Sequence, residues 1–292
     1  MKPAAFAYHA PRRLDEALAL LADDSVEARV LAGGQSLVPM MNFRFVQPGA
    51  IVDLNRISEL VGLRCDEDSI SFGAMTRQRD IFRSGPVQEM MPVIPAALAH
   101  VGHRQTRARG TIGGSLAHFD PSAELSNLAC LLDCEFVVRS KRGQRTLSYP
   151  DYARGYMSTA LALDELLTSL RFCVWPAKHG YAFQEFSLRH GDFAIAATSC
   201  LVQLGRDGRV ARAAIAVSGV SAIPQRLTSV EAAMVGCRPE AALCREAAEA
   251  ARSLDAMSDA YVPASYRTQL ASAMTYRAVK QALAGAVGGN SL

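Results

Sequence analysis

Apolar residues recur at spacings of three and four in several stretches of the chain, and each such stretch predicts a helix with one buried face. In "RRLDEALALLADD" that face is Leu14, Ala17, Leu18 and Leu21. "PVIPAALAHVG" and "AELSNLACLLDC" follow in the middle of the chain. "PEAALCREAAEAARSL" and "SYRTQLASAMTYRAVKQALAGAV" fill its end with strong helix formers. Shorter apolar runs read as strands: "ARVLAGG", stopped by its glycines, and "AIVDL", ending at Asp53. "LVGLRCDEDSISFGA" and "EFVVRSKRGQRTLSY" read as hairpins. A further helix starts in "SLVPMMNFR", with Ser36 as N-cap and Pro39 in the first turn. Short strands mixed with helices in this order predict an α+β fold rather than a doubly wound parallel sheet.

A break in composition at "RFCVWPAKHG" divides the chain into residues 1–176 and 177–292. Past it, "YAFQEFSLRHGDFAIAATSCLVQLGRDGRVARAAIAVSGV" predicts a three-stranded antiparallel sheet, its last two strands joined at Asp207-Gly208 and its back covered by helices. A length of 292 residues is enough for two domains. Half the residues are apolar and a fifth charged, the balance of a compact protein. A net charge of +3, without a Lys/Arg block interleaved with aromatics, gives no nucleic-acid footprint. No apolar run reaches the roughly 18 residues that a membrane span needs. "MKPAAFAYHAPRR" lacks the core of a signal peptide, so a cytoplasmic address is expected.

The seven cysteines include no C-x2-C pair, so neither zinc nor an iron–sulfur cluster has its usual local ligands. Cys130 and Cys134, four apart in a predicted helix, read as small buried hydrophobes. The six histidines suggest no nucleophile–base triad. The sequence therefore assigns no catalytic side chain and no metal ligand to this chain.

Two stretches stand out, "LAGGQSLVPMM" from Leu31 and "GTIGGSLAHFDPSAEL" from Gly110. Each places two glycines and a small polar residue before an apolar run. Where a strand ends in Gly-Gly and a helix begins, several amides lack carbonyl partners and can hold an anion. Gly33, Gly34, Gln35 and Ser36 form one such set; Thr111, Gly113, Gly114 and Ser115 form the other. Converging, they would suit a diphosphate. Either could equally be a tight turn and nothing more. Neither is a P-loop, and neither fits G-x-G-x-x-G.

Together these loops resemble the paired signature of the FAD-binding medium subunit of molybdenum hydroxylases, the family of the carbon monoxide dehydrogenase medium subunit and the xanthine dehydrogenase flavin domain. "FAYHAPRRLDEALALLA", "LRHGDFAIAATSC", "SGVSAIPQRL" and "YRTQLASAMTYRAVKQAL" extend the resemblance over nearly the whole chain. It implies a PCMH-type FAD-binding domain of the vanillyl-alcohol-oxidase type in two α+β subdomains over 1–176. A carbon monoxide dehydrogenase flavoprotein-type domain would follow over 177–292. It implies FAD contacts from Ala32, Gly33, Gly34, Gln35 and Ser36, flanked by Leu31 and Leu37, and from Thr111, Ile112, Gly113, Gly114 and Ser115. Glu124 would bond a sugar hydroxyl, Val101 and Gly102 would pack near the adenine, and the strand around Leu167 near the ring system. Asp120 is open to a role as ligand or as helix cap before Pro121.

Here the chain departs from the family pattern, with Ser115 for Asn and Phe119 for Ala. Phe119 could pack on the flavin or fill a local gap. The cationic run His100, His103, Arg104, Arg107 and Arg109 could offset a diphosphate, face an acidic partner or simply be solvated. Asp192, with Tyr181, Phe183 and Gln184 nearby, could cover the ring or gate acceptor access.

The resemblance implies an oxidoreductase subunit that transfers electrons. A small partner would carry two [2Fe–2S] clusters and a large partner the molybdopterin, in a dimer of heterotrimers. This FAD would pass electrons to NAD+, a quinone, oxygen or another carrier. "FRFVQPG" and "GGSLAHFD" favour an aromatic N-heterocycle as holoenzyme substrate. The alternatives are a stand-alone flavin oxidase of the same fold and a flavin-free scaffold.

Overall fold

The computed structural model describes residues 2–23, 25 and 27–288. Strand β1 (Ala7–His9), helix α1 (Leu14–Leu21), β2 (Ala28–Leu31), α2 (Leu37–Asn42) and β3 (Ala50–Asp53) build the first unit. Its strands form a parallel sheet in the order β1-β3-β2, and the segment containing α2 makes the β2-to-β3 crossover. One local βαβ unit thus stands inside the α+β chain. Helix α1 buries Leu14, Ala17, Leu18 and Leu21, the face its spacing predicts, against Val52, Leu54, Ile57 and Leu60.

Strands β4 (Leu63–Cys65) and β5 (Ser69–Gly73) form the first hairpin. Short helices follow: α3 (Gln78–Phe82), α4 (Gly85–Met90), α5 (Val93–Leu98), α6 (Arg104–Arg109), α7 (Ile112–His118) and α8 (Glu124–Leu131). The second hairpin, β6 (Glu135–Ser140) and β7 (Gly143–Leu147), leads through α9 (Tyr149–Tyr152) and the ribbon β8 (Ala153–Gly155) and β9 (Ser158–Thr159) to β10 (Leu166–Cys173). Strand β10 inserts between the hairpins, giving an antiparallel sheet in the order β4-β5-β10-β6-β7.

Helix α8 does not start at Asp120-Pro121 as the cap pattern predicts. The Asp120 carboxylate accepts from the Ser122 amide (2.8 Å), and Ala123 N–H donates to the Asp120 carbonyl (3.0 Å). These bonds close a turn of their own, and the helix begins only at Glu124.

The last part comprises β11 (Gly180–Phe186), β12 (Ala196–Leu204), β13 (Val210–Ser218) and β14 (Gln225–Arg226), then α10 (Thr228–Met234), α11 (Ala241–Arg252) and α12 (Ala264–Gly288). The expected three strands are joined by β14 at the sheet edge. It is too short to carry a periodic signal. Its own Arg226 anchors it to groups outside the sheet, pairing with Glu231 and Asp133 and donating to the carbonyls of Cys130 and Leu131.

Helix α8 is buried on every side, including Cys130; Cys134, just beyond its end, is buried as well. It packs against α5 and α7 on one side and β12 and β13 on the other, within a core that runs from Phe72, Phe136 and Phe172 to Leu201 and Ala214. Asn127 at its centre has no solvent exposure. Its amide nitrogen donates to the Ala216 carbonyl (3.2 Å) and the Ser218 hydroxyl (2.9 Å), and its oxygen accepts from the Ser199 hydroxyl. Removing a hub of this kind leaves several buried groups without partners. Asn127→Ala should therefore cost about 2–4 kcal/mol of stability, measured by chemical denaturation.

Candidate functional site

The first glycine loop turns the chain from β2 into α2. Gly34 has a φ of +73°, which an L side chain rarely adopts. At Gly33 the constraint is space: a Cβ there would lie 2.5 Å from the Arg109 carbonyl oxygen and 2.8 Å from the Gly110 Cα. The two loops therefore touch backbone to backbone.

The loops differ in what their amides do. Those of Gly33, Gly34, Gln35, Ser36 and Leu37 donate to no described residue. Ser36 precedes α2 in a helical conformation and makes no cap bond, so its hydroxyl is not spent there. Gln35 folds back on itself, Nε2 donating to the Gly33 carbonyl (3.1 Å).

The second loop does not repeat this open set. Ile112 and Gly113 N–H donate to the carbonyls of Thr76 and Ala74 (3.0 and 2.9 Å). Gly114 N–H donates to the Thr111 hydroxyl (3.0 Å), and Ser115 N–H to the Thr111 carbonyl (3.2 Å). Thr111 is the N-cap of α7, and its neighbours are consumed by the cap and by the segment that follows β5. The donor row is one-sided.

Both loops border a cavity of about 600 Å³. Ala32, Gly33, Gly34, Gln35, Ser36 and Leu37 line it, as do Gly102, Thr111, Gly114, Ser115, Asp120 and Glu124. Leu31, Ile112 and Gly113 do not line it; Ile112 and Gly113 are buried, while Leu31 pairs with Asp53 in the sheet. Leu167 is not on the wall either; it is buried in β10 opposite Val138, where the sheet turns it into the core. Val101 joins the lining, and Gly191, Asp192 and Phe193 of the β11–β12 connection contribute to the wall from the far part of the chain. Tyr181, Phe183 and Gln184 are elsewhere: Phe183 packs on His100 (ring centroids 5.4 Å apart), and Gln184 bonds Gln281.

Phe119 fills a core gap. It is fully buried in a left-handed conformation ending α7, edge-on to Tyr152. Arg107 is also spent locally, donating to the carbonyls of Val101 (2.6 Å) and Gly102 (3.2 Å).

Sequence reasoning missed other wall residues, including Arg29, Met40, Gln78 and His118. His118 could have been found, since it stands one helical turn from Gly114 on the same face of α7. Gln78 gave no local signal. It is buried, and its Oε1 has no partner among the described residues. Burial holds the His118 imidazole below its usual range.

Burial, and after it the charge of Glu185 on β11, pushes the Glu124 carboxyl up to about 8. Burial also raises Glu185, to about 7. A carboxyl whose folded pKa lies above its ordinary value of 4.5 binds more protons folded than unfolded, so stability falls as pH rises from there toward 8. Glu124→Gln should flatten this dependence: its thermal midpoint should gain on wild type between about pH 5 and 8. Gly33→Ala must displace backbone rather than a flexible side chain and should cost roughly 1–3 kcal/mol in denaturant titration.

Residues 4–175 match the family described as the FAD binding domain in molybdopterin dehydrogenase, and residues 181–282 match the CO dehydrogenase flavoprotein C-terminal domain. The chain is 38% identical to the caffeine dehydrogenase subunit beta of Pseudomonas sp. (strain CBB1), over 97% of this chain and 96% of that one. It is 35% identical, with the same coverage, to the 6-hydroxypseudooxynicotine dehydrogenase complex subunit alpha of Paenarthrobacter nicotinovorans. Among solved structures, carbon monoxide dehydrogenase from Hydrogenophaga pseudoflava superposes with a TM-score of 0.93 at 34% identity, over 97% of this chain and 99% of that one. On these matches the chain belongs to the family of FAD-binding oxidoreductase subunits of molybdenum hydroxylases.

Proposed function

We propose that one FAD occupies this cavity and that the chain relays electrons within a heteromeric molybdenum hydroxylase. The observation that carries the reading is the row of amides from Gly33 to Leu37, left without acceptors beside the cavity. Unmet donors beside a glycine turn suit a diphosphate, which supplies acceptors and negative charge together. The residues fit the group in two further respects. Gly33 and Gly34 put bare backbone on the wall, and Gln78 Oε1, without a partner among the described residues, can accept from a ligand hydroxyl or amine.

The amides of Gly33, Gly34, Gln35 and Ser36, with the hydroxyls of Ser36 and Ser115, would hold the diphosphate. Glu124, protonated at neutral pH, can donate to a sugar hydroxyl as well as accept from it. Val101 and Gly102 would border the adenine. Residues 1–176 would form the FAD-binding domain, while Gly191, Asp192 and Phe193 close the cavity from the C-terminal domain, 177–292. Bound there, FAD supplies the conversion between one-electron and two-electron transfer.

The partners in this reading are a small subunit with two [2Fe–2S] clusters and a large molybdopterin subunit, in a dimer of heterotrimers. An external carrier such as NAD+, a quinone or oxygen takes the electrons. An aromatic N-heterocycle as holoenzyme substrate is supported by the identity to the caffeine dehydrogenase subunit.

Acid precipitation of the purified chain tests the core of this. One FAD per chain should appear in the supernatant, and the complex purified from its source should contain the two partner chains. A colourless protein that takes up no FAD refutes the reading, while yellow colour retained in the pellet points to covalent attachment and a stand-alone oxidase.

A further inference from the structure

The carbonyl at which the two glycine loops touch, that of Arg109, is also reached by the Arg77 side chain. Arg77 is the N-cap of α3, and its backbone pairs antiparallel with Thr111. On either side of it, Ile112 N–H donates to the Thr76 carbonyl and Gln78 N–H to the Gly110 carbonyl, both at 3.0 Å. Nη1 of its guanidinium donates to the Arg109 carbonyl and Nη2 to Asn55 Oδ1. Asn55 in turn donates from Nδ2 to the Ala32 carbonyl (2.9 Å) and to Asp53, whose other oxygen accepts the Tyr8 hydroxyl.

This chain of bonds supplies something the glycine contact lacks. Gly33 permits the loops to approach, but among the described residues no hydrogen bond runs directly from 32–37 to 109–115. Arg77 and Asn55 provide the bonded path, from the carbonyl of Ala32 to that of Arg109. The side-chain types follow from the task. Asn55 must accept once and donate twice, which a carboxylate cannot do, and Arg77 must reach two acceptors with one planar fork. Neither side chain lines the cavity.

We propose that Arg77, acting through the Arg109 carbonyl and through Asn55, is a positioning residue that fixes the spacing of the two glycine loops and so sets how tightly the cofactor is held. This rests on the FAD reading above.

The test is titration of the full-length apo chain with FAD, followed by flavin fluorescence and visible circular dichroism. Arg77→Met should weaken FAD binding at least tenfold and alter the dichroism of the flavin that still binds, while the midpoint of the apo chain moves little. Arg77→Lys, which keeps one donor arm, should recover part of the affinity. Asn55→Ala should match Arg77→Met, and the double variant should bind no worse than either single one, because both break the same path. Wild-type affinity in Arg77→Met overturns the inference, and so do losses that multiply in the double variant. Should the methionine variant fail to fold, Arg77→Lys and Asn55→Ala give the same reading through a smaller change. A wild-type chain that takes up no FAD sinks the function reading itself, whereas one that binds FAD as its variants do sinks only the positioning role.

Discussion

The backbone of Gly33 lies against the carbonyl of Arg109 at a separation that no side chain would allow. Much of the site follows from that contact. It brings the end of a parallel three-stranded unit against the start of α7, which belongs to the helical layer following β5. Those elements share no sheet, so the glycine contact and the polar bonds around it define the cleft between them. The loop that makes the contact cannot also run as a regular strand or helix, so its amides from Gly33 to Leu37 are left over.

The asymmetry between the loops has a physical origin. The second loop is an ordinary helix start. Thr111 caps α7, Gly113 packs so closely on Ala74 that its amide meets that carbonyl, and the amides from Ile112 to Ser115 are all spent inside the protein. The first loop enters α2 without a side-chain cap. Polar groups left unmet beside a cavity are costly unless water or a ligand meets them, and here they are concentrated on one side. The first loop supplies the open amides, and the second adds wall and the Ser115 hydroxyl.

Helix α8 ties this cleft to the rest of the chain. Buried on all faces, it joins the helical layer to β12 and β13, and Asn127 fixes the register of that union. Its first residue, Glu124, stands on the cavity wall, and the connection between β11 and β12 brings Phe193 to the same wall. Packing of one helix thus sets both a site carboxyl and the closure of the cleft.

Local pattern was enough for much of this. The buried face of α1, the two hairpins, the strands on either side of the first loop and the long C-terminal helices follow from period and turn chemistry, which act within a few residues. The two glycine loops were legible for the same reason. What lay beyond the sequence were outcomes of long-range contact: the turn at Asp120, the strand β14 held by Arg226, the burial of Leu167 and Phe119, and the orphaned oxygen of Gln78. The sequence by itself determined where the chain could bend without a side chain in the way. Only the tertiary structure decided which amides remained free, because whether an N–H is spent depends on which distant carbonyl folding brings to it.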